Sequence, residues 1–337
     1  MTLSQVAAPT PVSVLIAGAG TMAELHARAL GEIAGVRISG IVNDRPASAR
    51  RLAKTFGTQA FRDLRQALRA GRPDAIFVCL PTPLHRGAVI EAARAGLHVF
   101  CEKPVARSVR DAEAMIESCD KENVLFMVGH VLRFFPEYAK LHDLVVGGEV
   151  GKPAMARLAR GGAAPRGARD WYARAGQSGG VLLDLVIHDF DWLRWTFGPV
   201  ARVHARHTAL RRGELASYAL AVLRHANGAI SHVEGSWGHE LPFRTRVEIA
   251  GDKGALEYDS SRPVLELHQV QGRSARAGVV VPESPVRVSP YRLQDEHFID
   301  CVRRHAAPIP APADALEALR ISLACLSSAR TGEVARP

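Results

Sequence analysis

From residue 12 onward the chain alternates short runs of β-branched and apolar residues with stretches whose apolar positions recur every three to four residues. Residues 12–17 read as a strand, 22–31 as a helix and 36–42 as a second strand. The rhythm returns with strands at 75–80, 98–101 and 124–128 and helices near 84–95 and 108–121. Apolar strands separated by amphipathic helices are the pattern of parallel βαβ units, whose strands are covered on both faces.

After Gly129 the pattern changes. A helix near 136–146 leads to a strand at 154–159, a loop rich in Gly, Arg and Pro from 160 to 178, and a long helix over 180–197. Strands are then expected around 200–208, 215–225, 229–237, 245–250, 263–270 and 279–288, with Asn227-Gly228 as a hairpin dipeptide. Helical stretches near 291–305 and 314–329 close the chain. The fold class is α/β: a doubly wound parallel sheet of Rossmann type, then an α/β half with a large, mostly antiparallel open sheet. The expected partition is a flexible segment over 1–11, a nucleotide-binding domain over 12–129 and a substrate-binding, oligomer-forming domain over 130–337, whose last helices pack back on the first domain.

The 337 residues, 47% hydrophobic and 23% charged, suit a soluble protein of two domains and exclude a disordered or low-complexity chain. No apolar run reaches the roughly 18 residues of a membrane span, and the first residues lack a signal-peptide pattern, so a cytoplasmic location is expected. Cysteines 79, 101, 119, 301 and 325 form no C-x-x-C pair, which points to reduced thiols and no structural zinc. The net charge of +9 comes from arginines scattered along the chain, so no nucleic-acid partner is expected.

Gly18-Ala19-Gly20-Thr21-Met22-Ala23 follows the first strand and opens the first helix, the context a dinucleotide fingerprint requires. Gly18 permits the tight turn, Gly20 leaves room for a diphosphate, and Ala23 lets helix and strand approach. The helix N-terminus, with Thr21 and Met22, offers N–H groups and partial positive charge to the phosphates. The second strand ends in Asn43-Asp44-Arg45, where an acidic side chain accepts the adenosine ribose hydroxyls. Asp44 argues for NAD, whereas Asn43 and Arg45 leave NADP open.

Cys101-Glu102-Lys103-Pro104 comes directly after a strand, at the sheet edge where open α/β folds bind ligands. With six lysines against 37 arginines, and arginine unable to lose its proton, Lys103 is the candidate for proton exchange there. Leu80-Pro81-Thr82-Pro83-Leu84-His85 forms a rigid shelf at an earlier strand end, and His85 either touches the cofactor or holds a loop. In the second half, Gly179-Gly180-Val181-Leu182-Leu183-Asp184-Leu185-Val186-Ile187-His188-Asp189 puts Asp184 and His188 four apart, on one helical face. Taken alone, those two polar groups fit a buried structural network, a substrate pocket, or an incomplete metal site with Asp189 or Asp191.

Together, the glycine loop, Pro81 with His85, Glu102-Lys103-Pro104, Arg133-Phe134-Phe135-Pro136 and Gly179-Gly180…Asp184…His188 resemble the Gfo/Idh/MocA family of sugar and inositol dehydrogenases over about residues 12–254. The resemblance implies an NAD(P)-dependent dehydrogenase that moves a hydride between nicotinamide C4 and a secondary hydroxyl carbon of a sugar, cyclitol or sugar acid. It also implies Lys103 as catalytic lysine, Asp184 as substrate-orienting carboxylate and His188 as acid/base, with no metal. Glu102, Leu80, Pro81 and Thr82 fall on the cofactor side, and a homodimer or homotetramer would form through the second sheet. Leu80 and Thr82 stand where many members carry Thr and Asn, and Asn43 stands where many NAD-dependent members carry Asp. Trp171, Tyr172 and Arg169 are candidate substrate contacts, Trp171 by stacking on a sugar face. Competing readings are a redox-neutral enzyme that retains NAD and a non-catalytic, NAD-dependent sugar sensor.

Overall fold

The computed structural model describes residues 10–165, 168–209, 217–238, 242–262 and 288–337, the side chains of 168–170 and 175 excepted. Strand β1 (Val12–Ala17) leads into α1 (Thr21–Gly31), β2 (Val36–Val42), α2 (Pro46–Thr55), β3 (Ala60–Phe61) and α3 (Leu64–Ala70). Then come β4 (Ala75–Val78), α4 (His85–Arg94), β5 (His98–Cys101), α5 (Val109–Lys121) and β6 (Phe126–Val128). These six strands make one sheet in the order β3-β2-β1-β4-β5-β6, and every pairing is parallel. The order reverses between β1 and β4, and such a reversal opens a ligand crevice at the carboxyl ends of the strands. Val14, Ile16, Phe77 and Phe100 pack on one face with Ala23, Ala27 and Leu30 of α1, while Leu15, Ile76, Val78 and Val99 pack on the other. Burial on both faces is why these strands read as unbroken apolar runs.

The second half contributes α6 (Pro136–Val146), β7 (Pro153–Gly161), α7 (Ala175–Ser178), α8 (Ile187–Phe197) and strands β8 (Val200–Thr208), β9 (Tyr218–His225), β10 (Ile230–Ser236), β11 (Arg244–Gly251) and β12 (Ala255–Asp259). Their sheet runs β12-β11-β7-β10-β9-β8, antiparallel except where β10 meets β7. One face carries Leu158, Val203, Leu223, Val233, Val247 and Ile249 into a core with Leu182, Phe190, Trp192 and Leu193. Elsewhere on these strands Met155, Leu220 and Ile230 are exposed. The last helices, α9 (Pro290–Arg304) and α10 (Pro312–Thr331), tie the two halves together. Phe298, Ile299 and Val302 of α9 join the core around β1 and α1, and α10 gives Ala315 and Leu319 to the first half and Ile321 and Cys325 to the second. Among the described residues no helix is long and apolar enough to cross a membrane.

Three expectations change. The helix anticipated over 180–197 is broken: Val181–Leu185 form a π-helical turn, and α8 begins only at Ile187. Residues 181–187 are all buried, so no amphipathic period marked the break. Helices α2 and α3 and strand β12 had no counterpart in the expected elements, β12 being a short edge strand without a regular alternation of buried and exposed positions. The strands anticipated at 263–270 and 279–288 fall, but for Val288, outside the described residues.

Candidate active site

The loop after β1 is shaped by contact with β4. Gly18 has φ +122°, and a Cβ built on it would lie 2.3 Å from the Cys79 carbonyl oxygen. Gly20 is different: it is the N-cap of α1 with φ −92°, and a Cβ there meets nothing within 4 Å. No side chain caps α1 at this end. The first N–H groups of an 11-residue helix are thus uncapped by side chains at the switch point, with room beside Gly20, an arrangement that fits a diphosphate. This contrast separates two glycine roles experimentally. Gly18→Ala is expected to lower the melting temperature, because its Cβ has no room and its φ is strained. Gly20→Val is expected to lower the melting temperature less than Gly18→Ala but to weaken NAD binding by at least about tenfold, measured by fluorescence titration.

At the end of β2, Asn43 Oδ1 accepts the Arg45 backbone N–H at 2.8 Å, which closes the turn and leaves Asp44 exposed beside it. At the end of β4, Leu80 and Pro81 are half-buried and Thr82 is buried. For His85, open between a cofactor contact and a loop brace, the surroundings fit the brace. His85 is buried, with Nε2 2.7 Å from the Leu80 carbonyl and Nδ1 3.0 Å from that of Pro104. Both ring nitrogens lie against main-chain carbonyls, the neutral ring donating from one of them, and the imidazole braces the shelf against the loop after β5. Burial pushes its pKa down.

Lys103 leaves the edge of the first sheet immediately after Glu102 and reaches into the second half. Its Nζ donates to the Asp184 main-chain carbonyl at 2.8 Å and lies 3.4 Å from Asp184 Oδ1. That carbonyl belongs to the π-helical turn, a distortion found often at functional sites. Burial raises the pKa of Asp184, opposed by the charge and hydrogen bond of Lys103. Glu102, expected on the cofactor side, turns its carboxylate inward: Oε1 meets His26 Nε2 at 3.0 Å and Oε2 accepts the Lys103 N–H at 3.1 Å.

His188 stands at the start of α8, half-buried, and its Nδ1 has no hydrogen-bond partner among the described residues. Burial first, and then the charges of Lys103 and Arg160 and the neighbouring His130, hold its pKa well below the usual histidine value. It is therefore a neutral imidazole at neutral pH, able to accept a proton. His130, unnoticed in the sequence, lies fully buried edge-on to His188 with ring centroids 6.4 Å apart. Neither of its ring nitrogens is hydrogen-bonded among the described residues, and Asp191 Oδ2 is 4.0 Å from Nδ1.

The aspartates weighed as metal ligands are taken by arginines. Arg160 grips Asp189 with contacts of 2.8 and 2.9 Å, and Arg133 grips Asp191 with contacts of 2.9 and 2.6 Å, all buried. Breaking either pair would strand a charge in the core, so these are anchors for α8. No group of three or more metal-ligating side chains occurs among the described residues. Trp171 and Tyr172 lie side by side in a short 3₁₀ helix, Ala168–Ala173, with ring centroids 4.0 Å apart. α7, just after it, rests against the shelf at Thr82–Leu84. The Arg169 side chain lies outside the described residues.

Residues 12–130 match a family model described as an oxidoreductase family with an NAD-binding Rossmann fold, and residues 138–257 match the GFO/IDH/MocA C-terminal domain. An uncharacterized oxidoreductase, YrbE, of Bacillus subtilis (strain 168) is 33% identical over 258 residues, covering 74% of both chains. The myo-inositol 2-dehydrogenase of Thermotoga maritima is 32% identical over 254 residues, 73% of this chain and 75% of that one. The crystal structure of GenD2 from gentamicin A biosynthesis, in complex with NAD, superposes with a TM-score of 0.89 at 23% identity, covering 100% of this chain and 99% of the other.

Proposed function

The chain belongs to the Gfo/Idh/MocA family of NAD-binding oxidoreductases, and from that premise we propose that it oxidises a secondary hydroxyl of a cyclitol or sugar with NAD as hydride acceptor. The observation that carries this reading is the meeting of Lys103, from the nucleotide-binding half, with Asp184, from the other half, four residues before the neutral imidazole of His188.

Bound NAD supplies the hydride acceptor at nicotinamide C4. The glycine loop and the α1 N-terminus, with Gly18, Gly20, Thr21 and Met22, would hold the diphosphate, and Leu80, Pro81 and Thr82 would line the cofactor side of the crevice. Lys103 Nζ donates a hydrogen bond to the reacting oxygen and stabilises the alkoxide that develops there. A ring nitrogen of His188 is the acceptor for the hydroxyl proton; with bound NAD accepting the hydride, an alcohol and NAD would give a ketone, NADH and one proton. Asp184 orients a neighbouring hydroxyl and keeps the ammonium in place. Trp171 and Tyr172 offer an apolar wall to the polyol ring.

Asp44, exposed where the adenosine ribose would lie, favours NAD over NADP. Asp44→Ser is expected to lower the ratio of KM for NADP to KM for NAD by about tenfold, one charge repulsion being removed. Exposed Met155, Leu220 and Ile230 support assembly of copies through the second sheet.

The direct test is formation of NADH at 340 nm from a panel of inositols, aldoses and sugar acids. Oxidation of at least one polyol supports the reading. Absence of NADH with every member, while cofactor binds, would oppose it.

A further inference from the structure

Behind the nucleotide loop lies a buried array that the mechanism above does not use. His26 of α1 is wholly buried, its Nδ1 2.9 Å from both carboxylate oxygens of Asp295 on α9 and its Nε2 3.0 Å from Glu102 Oε1. Phe77, Phe100 and Tyr291 ring the imidazole, with centroids 5.4, 5.1 and 6.1 Å away. A neutral imidazole carries one N–H and satisfies one carboxylate, leaving the other against a lone pair in apolar surroundings. An imidazolium satisfies both. Burial resists that charge, but attraction and hydrogen bonding to Asp295, and then to Glu102, outweigh it and raise the pKa to about 10.

Two carboxylates and one imidazolium leave one net negative charge, and nothing within the array cancels it. Lys103 attracts Glu102 and lowers its pKa, but its ammonium is also held by Asp184, so it offsets the charge only in part. The array ends at Glu102, at the carboxyl edge of the first sheet, where Oε2 also fixes the Lys103 backbone. If Lys103 faces the nicotinamide, as the proposed function has it, this charge lies beside the ring. The oxidised ring is positive and the reduced ring neutral, whereas the rest of the dinucleotide is the same in both. A fixed buried charge there acts only on the difference.

We propose that His26 and Asp295 are positioning residues that act through Glu102, holding an ionised carboxylate at the sheet edge and so raising the affinity for oxidised relative to reduced cofactor. The inference rests on the proposed function for the position of the nicotinamide.

The test titrates the full chain with NAD and, separately, with NADH in the absence of any polyol, by calorimetry and fluorescence. Glu102→Gln keeps the shape of the side chain and removes the charge nearest the cofactor. In this variant the ratio of the NADH Kd to the NAD Kd is expected to fall by about fivefold or more. An unchanged ratio, with both cofactors weakened alike, would show an array that only packs and would overturn the proposal. Should a variant fail to fold, ¹⁵N NMR of the histidine rings in the native chain at pH 8 decides: two protonated nitrogens on His26 are expected, and a neutral ring overturns the array. Polyol oxidation by the same preparations separates the two ideas. Turnover with an unshifted ratio removes only this inference, and a shifted ratio without oxidation of any polyol removes only the dehydrogenase reading.

Discussion

Lys103→Met is expected to lower kcat for polyol oxidation by about 10³-fold while NAD still binds within a few-fold of its native Kd. The effect is large because the ammonium would act mainly in the transition state, on an oxygen that gains negative charge as hydride departs. Cofactor binding survives because the diphosphate cradle is built by the β1–α1 loop, which the lysine does not support. The substitution also strips Asp184 of its partner, and the pKa of this buried carboxyl, already raised by burial, should rise further. Lys103→Arg separates the two contributions of the ammonium: it restores a positive charge but cannot release a proton, so partial recovery measures electrostatics and the remaining deficit measures proton relay. Steady-state rates paired with fluorescence titration of NAD check both variants. Near-normal turnover in Lys103→Met would remove this residue from the chemistry.

The second large effect is at His188. His188→Ala is expected to reduce kcat/KM by about 10²- to 10⁴-fold, the range of a positioned general base, with partial rescue by added imidazole. The pH profile gives an independent check. Because burial, Lys103, Arg160 and His130 all hold the imidazole in its neutral form, the native enzyme should keep its base as the pH falls through 6.5. Its rate of oxidation should fall only at more acidic pH, where His188 finally protonates. In Lys103→Arg, whose residual rate is measurable and whose charge is kept, that acidic limb should stay low. An acidic limb at or above 6.5 in the native enzyme would mean that another group supplies the base.

Much of this arrangement was legible in the sequence, for reasons that also explain the gaps. Gly18–Ala23 and the βαβ rhythm are local signals: strand, turn and helix are contiguous, and burial on both faces marks the strands. Glu102-Lys103-Pro104 and Asp184…His188 were visible as chemistry-bearing residues at strand and helix edges. Sequence spacing did not reveal that Lys103 meets a main-chain carbonyl, because the π-helical turn at Val181–Leu185 lies in a stretch buried on every side. The Asp295–His26 pair joins residues 269 apart, and no local pattern encodes such a contact. His26 does fall on the inner face of α1, three residues after Ala23, and a polar residue among Ala23, Ala27 and Leu30 was a signal that a buried partner had to exist. Likewise Asp189 and Asp191 looked like potential ligands until arginines from β7 and from the segment before α6 were found on them. His85 follows the shelf and was compatible with a cofactor contact or a loop brace, and the shelf itself is what it braces.

These corrections leave a consistent division of labour. The anchors, Arg133–Asp191 and Arg160–Asp189, fix α8 in the second half. The braces, His85 and Glu102, fix the two strand ends of the first. Lys103 and His188 are the groups this leaves for the proposed chemistry.

The most direct measurement follows one atom. A polyol that the enzyme oxidises, perdeuterated on carbon, is incubated with NAD, and the nicotinamide and product are recovered for mass spectrometry and NMR. The expected result is one deuterium at nicotinamide C4 for each ketone formed. Product formed without deuterium on the nicotinamide, or NAD that stays unlabelled with every polyol tried, would contradict hydride transfer at this site.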